Sequence, residues 1–335
     1  MTDILKKIQS EFPQKCVVIV GDLVADQFLN GTISRVSREA PVFILRHDQT
    51  TTLPGAAANA AANVASLGAR PILIGFAGRD MNGELLLNRL AEIGVEVGSV
   101  VADGTLTTTT KVRVLAGQHY AARQQVIRID YENSNPISDE LKERLKDILI
   151  AAGNEADAII ISDYNCGTVS PALYETAKNI SHERGIPLIV DSRYRLSEFS
   201  DASTGTPNRE EVEKILGENF STEDCMRLRE KLNYEALLVT NGNEGMLLVE
   251  KGKPPVSKDA IGSKEPVDVT GAGDTVIAAY ALGLASGLSY SEAAKVANHA
   301  GGIVVMKKGT ASVSMSELCD SLTADADALV SQHSN

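Results

Sequence analysis

The segment Asp268–Thr275, which reads DVTGAGDT, combines residue types and spacings that could carry out chemistry. It follows a polar loop that contains proline and precedes the apolar run Val276–Leu282, so the pattern predicts a loop that enters a helix. Gly271 and Gly273 place no side chain over the N–H groups of the first helical turn, which are unpaired and carry the positive end of the helix dipole. The segment is therefore a candidate anion-binding site.

Asp274 lies inside this candidate anion site. A carboxylate there repels an anion, unless its task is to take a proton from the group that attacks the anion. A base next to an oxyanion cradle is the arrangement that phosphoryl transfer requires. A glycine-rich helix entry with an early aspartate would have the same sequence, and both interpretations remain open on these eight residues alone.

Carboxylates also follow the first predicted strand, Cys16–Val20, where Asp22 comes after Gly21 and Asp26 follows four residues later. At the carboxyl end of a strand they could hydrogen-bond to sugar hydroxyls or simply close a turn. No GxGxxG motif follows this strand, which weakens the case for a nicotinamide dehydrogenase. No GxxxxGK[ST] motif occurs in the chain, so it is not a P-loop enzyme.

The segment Pro54–Asn63 predicts a helix of very small side chains, in which Asn59 and Asn63 are one turn apart on one face. We expect the alanines to pack against a neighbouring element. We expect at least one of the two amides to reach a ligand or a buried backbone group, because buried polar groups are hydrogen-bonded.

Four cations, Lys111, Arg113, Arg123 and Arg128, fall in a segment with strand-like alternation. In Thr110–Val114 the cations share one face of the predicted strand and the valines share the other. A solvated strand face is the usual explanation for such a pattern, and a phosphate clamp is the functional one.

Asn208 and Glu211 stand three residues apart at a predicted helix entry. They could direct an amide and a carboxylate toward a hydrated Mg²⁺, which takes few protein ligands. Helix N-capping explains the same pair equally well.

The elements that would position these residues alternate between short β-branched runs and helical patterns. Continuous apolar strands separated by helices predict a parallel sheet covered on both faces, with ligands beyond the carboxyl ends of its strands. The predicted strands are Cys16–Val20, Pro71–Phe76, Ala158–Ser162, Pro187–Val190 and Ala236–Thr240. The predicted helices include Ala56–Leu67, Gly83–Ile93, Ser138–Ala152, Pro171–Arg184 and Glu223–Leu232.

Two segments, Asn30–Thr52 and Thr105–Tyr131, depart from this pattern, because they alternate polar and apolar residues and carry few helix signals. They are predicted to form a small antiparallel lid over one end of the sheet. No linker, low-complexity tract or internal repeat divides the chain, so residues 1–335 are predicted to form a single domain.

Composition excludes several classes of function. A net charge of −12 argues against binding to nucleic acid or to an anionic membrane surface, and aromatic residues are too few, at 4%, for base-stacking platforms. No apolar run is long enough for a membrane span, and the N-terminus lacks the features of a signal peptide. Four scattered cysteines are typical of free thiols, and we expect a cytoplasmic protein.

In combination, these features resemble the PfkB, or ribokinase-like, family of carbohydrate kinases, from about Cys16 to Ser314. The C-terminal signature of the family, D-x-x-G-A-G-D, is complete at Asp268–Asp274. The N-terminal signature is recognisable at Pro54–Asn63, with Ala56 where a second glycine is often found. Further features in the expected order are the Asn208–Glu211 pattern, the turn Thr240-Asn241-Gly242, and a late helix with Asn298 and Gly301.

Within the family, the chain is most similar to the kinases that phosphorylate O1 of D-glycero-D-manno-heptose 7-phosphate. The similar segments include Gly21–Asp26, Ser34–Val42, Ala65–Ala69, Thr109–Leu115, Val126–Glu132, Ser162–Tyr164 and Val267–Val276. The chain departs from that subgroup at Cys166, where lysine is usual, at Ser192-Arg193, where Pro-Lys is usual, and in the longer stretch Ala116–Arg123. These departures leave the identity of the sugar open.

The resemblance implies an α/β, ribokinase-like three-layer sandwich with a mostly parallel central sheet and a small β-sheet lid, working as a homodimer through the lid. It implies that Asp274 is the general base and that the N–H groups of Gly271, Ala272 and Gly273 stabilise the transferred γ-phosphoryl group of ATP. The residues implied for the sugar are Asp22, Asp26, Gly55 and Asn59, with Lys111, Arg113 and Arg128 as candidates for a phosphate that the sugar already carries.

The same resemblance assigns the cofactors. Asn208 and Glu211 would organise Mg²⁺ and its waters, and Asp268 and Thr270 would be the nearest ligands of a monovalent cation such as K⁺. The nucleotide pocket would be lined by Thr240, Gly242, Asn298 and Gly301. Two alternatives remain: a ribokinase-like kinase for a ketose, a nucleoside or an unphosphorylated sugar, and a non-catalytic sugar or nucleotide sensor, against which the intact GAGD motif counts.

Overall fold

The computed structural model describes residues 2–118, 123–133, 135–263 and 265–332. The strands are β1 Cys16–Gly21, β2 Leu23–Val36, β3 Phe43–Ala56, β4 Arg70–Gly78, β5 Val100–Asp103, β6 Thr110–Gly117, β7 Gln124–Tyr131, β8 Ala158–Asp163, β9 Leu188–Ser192, β10 Thr204–Gly205, β11 Ala236–Thr240, β12 Met246–Glu250 and β13 Val256–Lys258. The helices are α1 Thr2–Glu11, α2 Ala57–Ser66, α3 Met81–Glu92, α4 Asp139–Gly153, α5 Pro171–Arg184, α6 Arg209–Leu216, α7 Thr222–Leu232, α8 Ala272–Ala285, α9 Tyr290–Val304 and α10 Met315–Gln332.

A nine-stranded sheet forms the centre of the molecule, in the order β13-β12-β11-β10-β9-β8-β1-β4-β5. The pairs from β11 to β5 are parallel, and the hairpin of β12 and β13 adds an antiparallel edge. The inner strands β1 and β8 are buried along their whole length, as continuous apolar runs predict for strands covered on both faces.

Helices cover both faces of this sheet. Helices α1, α2, α3, α8, α9 and α10 share one hydrophobic core cluster with one face of the strands, and α4, α5, α6 and α7 share a second cluster with the other face. The predicted three-layer α/β architecture is therefore confirmed. The five predicted strands and five predicted helices are all present, with ends shifted by one or two residues in most cases.

A second, four-stranded sheet in the order β3-β2-β6-β7 forms the lid. The first lid segment is longer than the predicted Asn30–Thr52, because β2 begins directly after β1 and β3 runs into α2. The lid is also not wholly antiparallel, since β2 and β6 pair in parallel. Residues 119–122 of the stretch Ala116–Arg123, which differs from the heptose kinases in length, lie outside the described residues.

Ala56 joins β3 to α2 with a backbone conformation that favours glycine. Its φ is 54° and its ψ is −131°, at the N-cap of α2. Ala56 stands at the position where kinases of the resembled family often have a second glycine. A non-glycine residue in such a conformation costs on the order of 1–3 kcal/mol, so Ala56 stores strain beside the lid.

Replacement of this residue by glycine tests the strain. We expect Ala56→Gly to raise the free energy of unfolding by about 0.5–1 kcal/mol, because relief of strain exceeds the entropy that glycine adds to the unfolded chain. Urea unfolding followed by circular dichroism measures the change. The matched control is Ala61→Gly in the middle of α2, which should destabilise the protein by about 0.5–1 kcal/mol. Equal destabilisation by both variants would contradict the strain at Ala56.

Candidate active site

A cleft of about 400 Å³ lies between the lid, the carboxyl ends of the central strands and the start of α8. The strand order changes direction here: β1 pairs with β4 on one side and with β8 on the other. Crevices at such a switch point are where open parallel sheets bind ligands. A volume of this size suits a small-molecule substrate.

Asp274 lies in this cleft, in the first turn of α8, and only 3% of its surface is exposed. Its Oδ2 accepts a hydrogen bond of 2.9 Å from Asn59 Nδ2, and its Oδ1 accepts one of 3.0 Å from the Tyr164 hydroxyl. Burial raises the pKa of Asp274 to about 7, while these two donors oppose the rise. A carboxyl group with this pKa can act as a base near neutral pH.

Asn59 and Asn63 connect α2 to the start of α8. Asn59 Nδ2 also approaches the carbonyl oxygen of Gly271, at 3.3 Å. Asn63 Oδ1 accepts bonds from the Thr275 hydroxyl at 3.1 Å and from the N–H of Val313 at 3.2 Å. The expectation that an amide of this helix reaches a buried group is confirmed. Asn59, which the resemblance assigned to the sugar, directs its amide nitrogen to Asp274, and its contact with the sugar stays a prediction.

The first turn of α8 presents open N–H groups to the cleft. Gly271 caps the helix with φ of +78°, and a Cβ atom here would lie 2.4 Å from Asn59 Nδ2, so the position requires glycine. Among the described residues, the N–H groups of Gly271, Gly273 and Asp274 donate to no protein acceptor. The N–H of Ala272 differs from the prediction, because it donates to the carbonyl of Val269 at 3.2 Å.

Asp22 has a different environment from the one predicted for a sugar ligand. It is 1% exposed, and its carboxylate accepts bonds from the N–H groups of Tyr164, Cys166 and Thr168 at 2.8, 3.0 and 3.0 Å. It lines a small neighbouring cavity and not the main cleft. Asp22 thus fixes the loop that follows β8, and its contact with the sugar stays a prediction.

Asp26 and Arg113 form an ion pair on the inner side of the lid, and both line the cleft. The parallel register of β2 and β6 places Asp26 opposite Lys111 and Phe28 opposite Arg113, whose guanidinium lies 5.4 Å from the Phe28 ring centre. A Cβ atom at Gly55 would lie 2.5 Å from Asp26 Oδ2, so Gly55 makes room for this carboxylate.

The four predicted lid cations differ in their partners and in whether they line the cleft. Lys111, Arg113 and Arg128 all line the cleft, and the valines of β6 are buried on the opposite face, as the alternation predicted. Arg128 makes a bidentate contact with the Asp130 carboxylate, with hydrogen bonds of 2.8 and 2.7 Å. Arg123 pairs with Asp48 at 2.7 Å and does not line the cleft.

Two further cations, Arg193 and Lys214, also line the cleft. The sequence analysis did not predict either of them as a site residue. They flank the ring of Tyr194, at 5.9 and 4.9 Å from its centre. Within the described parts of the chain, Lys111, Arg193 and Lys214 form no ion pair with a carboxylate. The only sequence signal was Arg193 itself, at a position where the heptose kinases carry lysine.

Asn208 and Glu211 form a capping box at the start of α6. Asn208 Oδ1 accepts from the N–H of Glu211 at 3.0 Å, and Glu211 Oε2 accepts from the N–H of Asn208 at 2.9 Å. Both residues also line the cleft, together with Asp191. Burial is the main cause that raises the pKa of Glu211 and of Asp191, and the charges of Glu211 and Asp274 raise that of Asp191 further.

The predicted nucleotide residues converge on a second pocket next to the cleft. Thr240, Gly242, Asn298 and Gly301 all line it, together with apolar residues that include Ile261, Val276 and Val305. Asn298 Nδ2 donates to the carbonyl of Asp259 at 2.7 Å and holds one wall. The pocket and the cleft share Thr240, Val269 and Gly273, so one extended ligand could occupy both.

Asp268 and Thr270 lie at the loop before α8. The carboxylate of Asp268 accepts from the N–H of Thr270 at 3.0 Å and from the N–H of Gly309 at 2.9 Å. Burial disfavours its charge, but these bonds lower its pKa. Asp268 therefore stays ionised and fixes the loop. Across the described ranges, no cluster of three or more His, Cys, Asp or Glu side chains is arranged to hold a metal ion.

Comparison with known proteins identifies the family to which this geometry corresponds. The model of the family described as pfkB family carbohydrate kinase matches residues 15–317. Among curated proteins, the bifunctional protein HldE of Caulobacter vibrioides is 36% identical over 326 residues, and that of Chromohalobacter salexigens is 38% identical over 319 residues. The matches cover 95% and 93% of this chain, which spans only 65% and 64% of the length of these relatives.

Solved structures share the fold at low sequence identity. Arabidopsis thaliana ribokinase, complexed with ribose and ATP, has a TM-score of 0.69 and 22% identity, over 92% of this chain and 98% of that one. Phosphofructokinase-2 from Escherichia coli, in complex with potassium, has a TM-score of 0.72 and 19% identity, over 91% of this chain and 97% of that one.

In the part of the chain that the structure describes, no helix is both long enough and apolar enough to span a membrane.

Proposed function

The chain belongs to the pfkB family of carbohydrate kinases, and we propose that it phosphorylates O1 of D-glycero-D-manno-heptose 7-phosphate with ATP as the phosphoryl donor. The family match supports the reaction type, an ATP-dependent transfer to a sugar hydroxyl. The choice of sugar rests on the sequence resemblance to the heptose-phosphate kinases and on the cations that line the cleft.

The buried carboxylate of Asp274 is the observation that carries the reaction type. It lies next to the open N–H groups of Gly271, Gly273 and its own backbone, at the positive end of α8. A base and an anion site thus meet within one helical turn. This is the pair of functions that phosphoryl transfer to a hydroxyl group requires.

The reaction proceeds by displacement at the γ-phosphorus. Asp274 removes the proton from the attacking sugar hydroxyl, and the hydroxyl oxygen forms a bond to the γ-phosphorus. The bond between that phosphorus and the β–γ bridging oxygen breaks, and ADP leaves with the electron pair. The N–H groups of Gly271, Gly273 and Asp274 stabilise the negative charge on the transferred group.

The residues near Glu211 fit a hydrated Mg²⁺ ion. Glu211 keeps Oε1 free of the capping box and lies in the cleft with Asp191. One or two carboxylates together with nucleotide phosphates and waters satisfy this ion, which explains why no larger carboxylate cluster is required. When bound, the ion neutralises phosphate charge. A monovalent cation near Asp268 and Thr270 is proposed on the family resemblance.

A test of the reaction type is the Asp274→Asn variant, measured with phosphorylated sugars, free sugars and nucleosides at saturating Mg·ATP. We expect turnover to fall by at least roughly 10²–10⁴-fold, the range for loss of a general base. Titration calorimetry should show nearly unchanged Mg·ATP affinity, since the Asp274 side chain does not line the nucleotide pocket. Near-normal turnover of the variant would contradict the role of Asp274. A wild-type protein that binds a sugar but phosphorylates none would be a sensor.

The cleft cations that have no carboxylate partner among the described residues form two groups. Lys111 belongs to the lid, beside the proposed sugar ligands Asp26 and Gly55. Arg193 follows β9 and Lys214 belongs to α6. The residue before α6, Asn208, is the backbone partner of Thr240, which lines the nucleotide pocket. We assign Lys111 to the phosphate of the sugar, and Arg193 and Lys214 to the phosphates of ATP.

Arg113 and Arg128 contribute less to phosphate binding than their number implies, because each already pairs with an aspartate. This pairing is the observation that favours the second candidate, a kinase for an unphosphorylated sugar. In that case Asp26, held by Arg113, would accept hydrogen bonds from sugar hydroxyls.

Alanine variants separate these two candidates. Lys111→Ala should lower kcat/KM for a phosphorylated sugar roughly 10- to 150-fold, because a hydrogen bond to a charged group is worth about 1.5–3 kcal/mol. Activity on the free sugar should remain, and Arg193→Ala should raise mainly the KM for ATP. Lys146→Ala on α4, outside the cleft, is the matched control. An unchanged preference for phosphorylated over free sugar in Lys111→Ala would favour the second candidate.

We also propose a homodimer that forms through the lid. Large apolar side chains of the lid and of its β2–β3 loop are at least 42% exposed, an extent that is typical of interaction surfaces. They are Val36, Val42, Phe43, Val126, Ile127, Ile129 and Tyr131. Sedimentation velocity of the full chain should show a dimer at micromolar concentration, and Ile127→Arg should convert it to monomer. A wild-type monomer under these conditions would contradict the proposal.

A further inference from the structure

Tyr164 reaches the catalytic carboxylate from outside both family signatures. It follows β8, whereas Asp274 belongs to α8, and its hydroxyl lies 3.0 Å from Asp274 Oδ1. The Tyr164 backbone is held by the bond of 2.8 Å from its N–H to Asp22. Two more N–H groups of the same loop also donate to Asp22. The position of the phenol is therefore fixed by a buried carboxylate in the link between β1 and β2.

The phenol of Tyr164 remains a hydrogen-bond donor throughout the working pH range. Burial, followed by the charges of Asp274 and Asp191, raises its pKa well above the usual value. The ammonium group of Lys111 lies 5.4 Å from the ring centre and packs the ring from the lid side. An un-ionised phenol in this position donates a hydrogen bond to Oδ1 of the ionised Asp274 carboxylate.

We infer that Tyr164 is a positioning residue for phosphoryl transfer, whose hydroxyl fixes the Asp274 carboxylate so that its remaining lone pairs face the acceptor hydroxyl. The inference rests on the proposed function in so far as Asp274 is the base. Asn59 holds the other carboxylate oxygen, at 2.9 Å. Each oxygen thus has one protein donor, and rotation of the carboxylate would break both bonds.

The same hydrogen bond favours the ionised form of the base. Burial raises the pKa of Asp274 to about 7, and the Asn59 and Tyr164 donors act against burial. The other charges that act on Asp274 come from Asp26 and Lys111 on the lid and from Asp191, and Glu211 lines the same cleft. All of them persist when the Tyr164 hydroxyl is removed. Loss of this donor therefore raises the pKa of the base.

The test is the pH dependence of kcat/KM for Tyr164→Phe with Mg·ATP and the sugar that the wild type phosphorylates. A base must be deprotonated, so a raised pKa moves the acid limb of the profile to higher pH. We expect a shift of about one pH unit, the size that one donor to a carboxylate produces. The variant should thus lose about tenfold in kcat/KM near pH 6.5 and much less above pH 8.5.

Tyr174→Phe is the matched control. Tyr174 is also buried, and its hydroxyl donates to the carbonyl of Ser200 at 2.6 Å, away from the cleft. The acid limb of this variant should coincide with that of the wild type. If Tyr164→Phe lowers kcat/KM by the same factor at every pH, or leaves the acid limb unchanged, Tyr164 has only a structural role and the inference is wrong.

Two further measurements keep the inference testable. Incorporation of 3-fluorotyrosine at position 164 keeps the ring and strengthens the donor, so the acid limb should move to lower pH. The carboxyl ¹³C resonance of Asp274, assigned by comparison with Asp274→Asn, reports its titration without any substrate. If the wild type phosphorylates no sugar, the proposed function fails, and this resonance still decides the inference. An identical titration in wild type and Tyr164→Phe would overturn it.

Discussion

A carboxylate that is almost fully buried can ionise only if hydrogen-bond donors surround it, and Asp274 imposes this constraint on the whole site. Its donors come from two places, Asn59 on α2 and Tyr164 after β8. Asp22 at the end of β1 holds the second of these in place. Strand β1, helix α2 and the loop after β8 must therefore be packed correctly before Asp274 can act as the proposed base. The position of Asp274 between donors explains how burial and basicity coexist.

The lid supplies the cleft with positively charged side chains. The protein carries a net charge of −12, yet its cleft must accept phosphate groups. Parallel pairing of β2 with β6 places Asp26 opposite Lys111 and lets Arg113 neutralise Asp26. Lys111 is left without a carboxylate partner in the described part of the chain. The lid thus supplies localised positive charge and a hydrogen-bonding carboxylate on one surface, and most of its exposed apolar residues lie on its strands.

The junction of the lid and α2 contains a strained residue that also lines the cleft. Ala56 adopts a conformation that glycine would adopt freely, and it lines the cleft. Its neighbour Gly55 leaves space for Asp26, and α2 begins immediately afterwards with the helix that carries Asn59. Strained residues persist where the surrounding structure determines their conformation, and such positions cluster at functional sites.

The sequence by itself determined the layered α/β fold, the helix entry at Gly271–Asp274 and the two faces of β6, because these features follow from local periodicity and from glycine placement. Only the tertiary structure decided the hydrogen-bond partners. It showed that Asp22 holds a loop, that the Ala272 N–H is already bonded, and that Tyr164 contacts Asp274, 110 residues away. It also decided the parallel lid pairing and the capping role of Asn208 and Glu211. Contacts between residues so distant in the chain depend on how strands and helices are arranged in space, which no local pattern encodes.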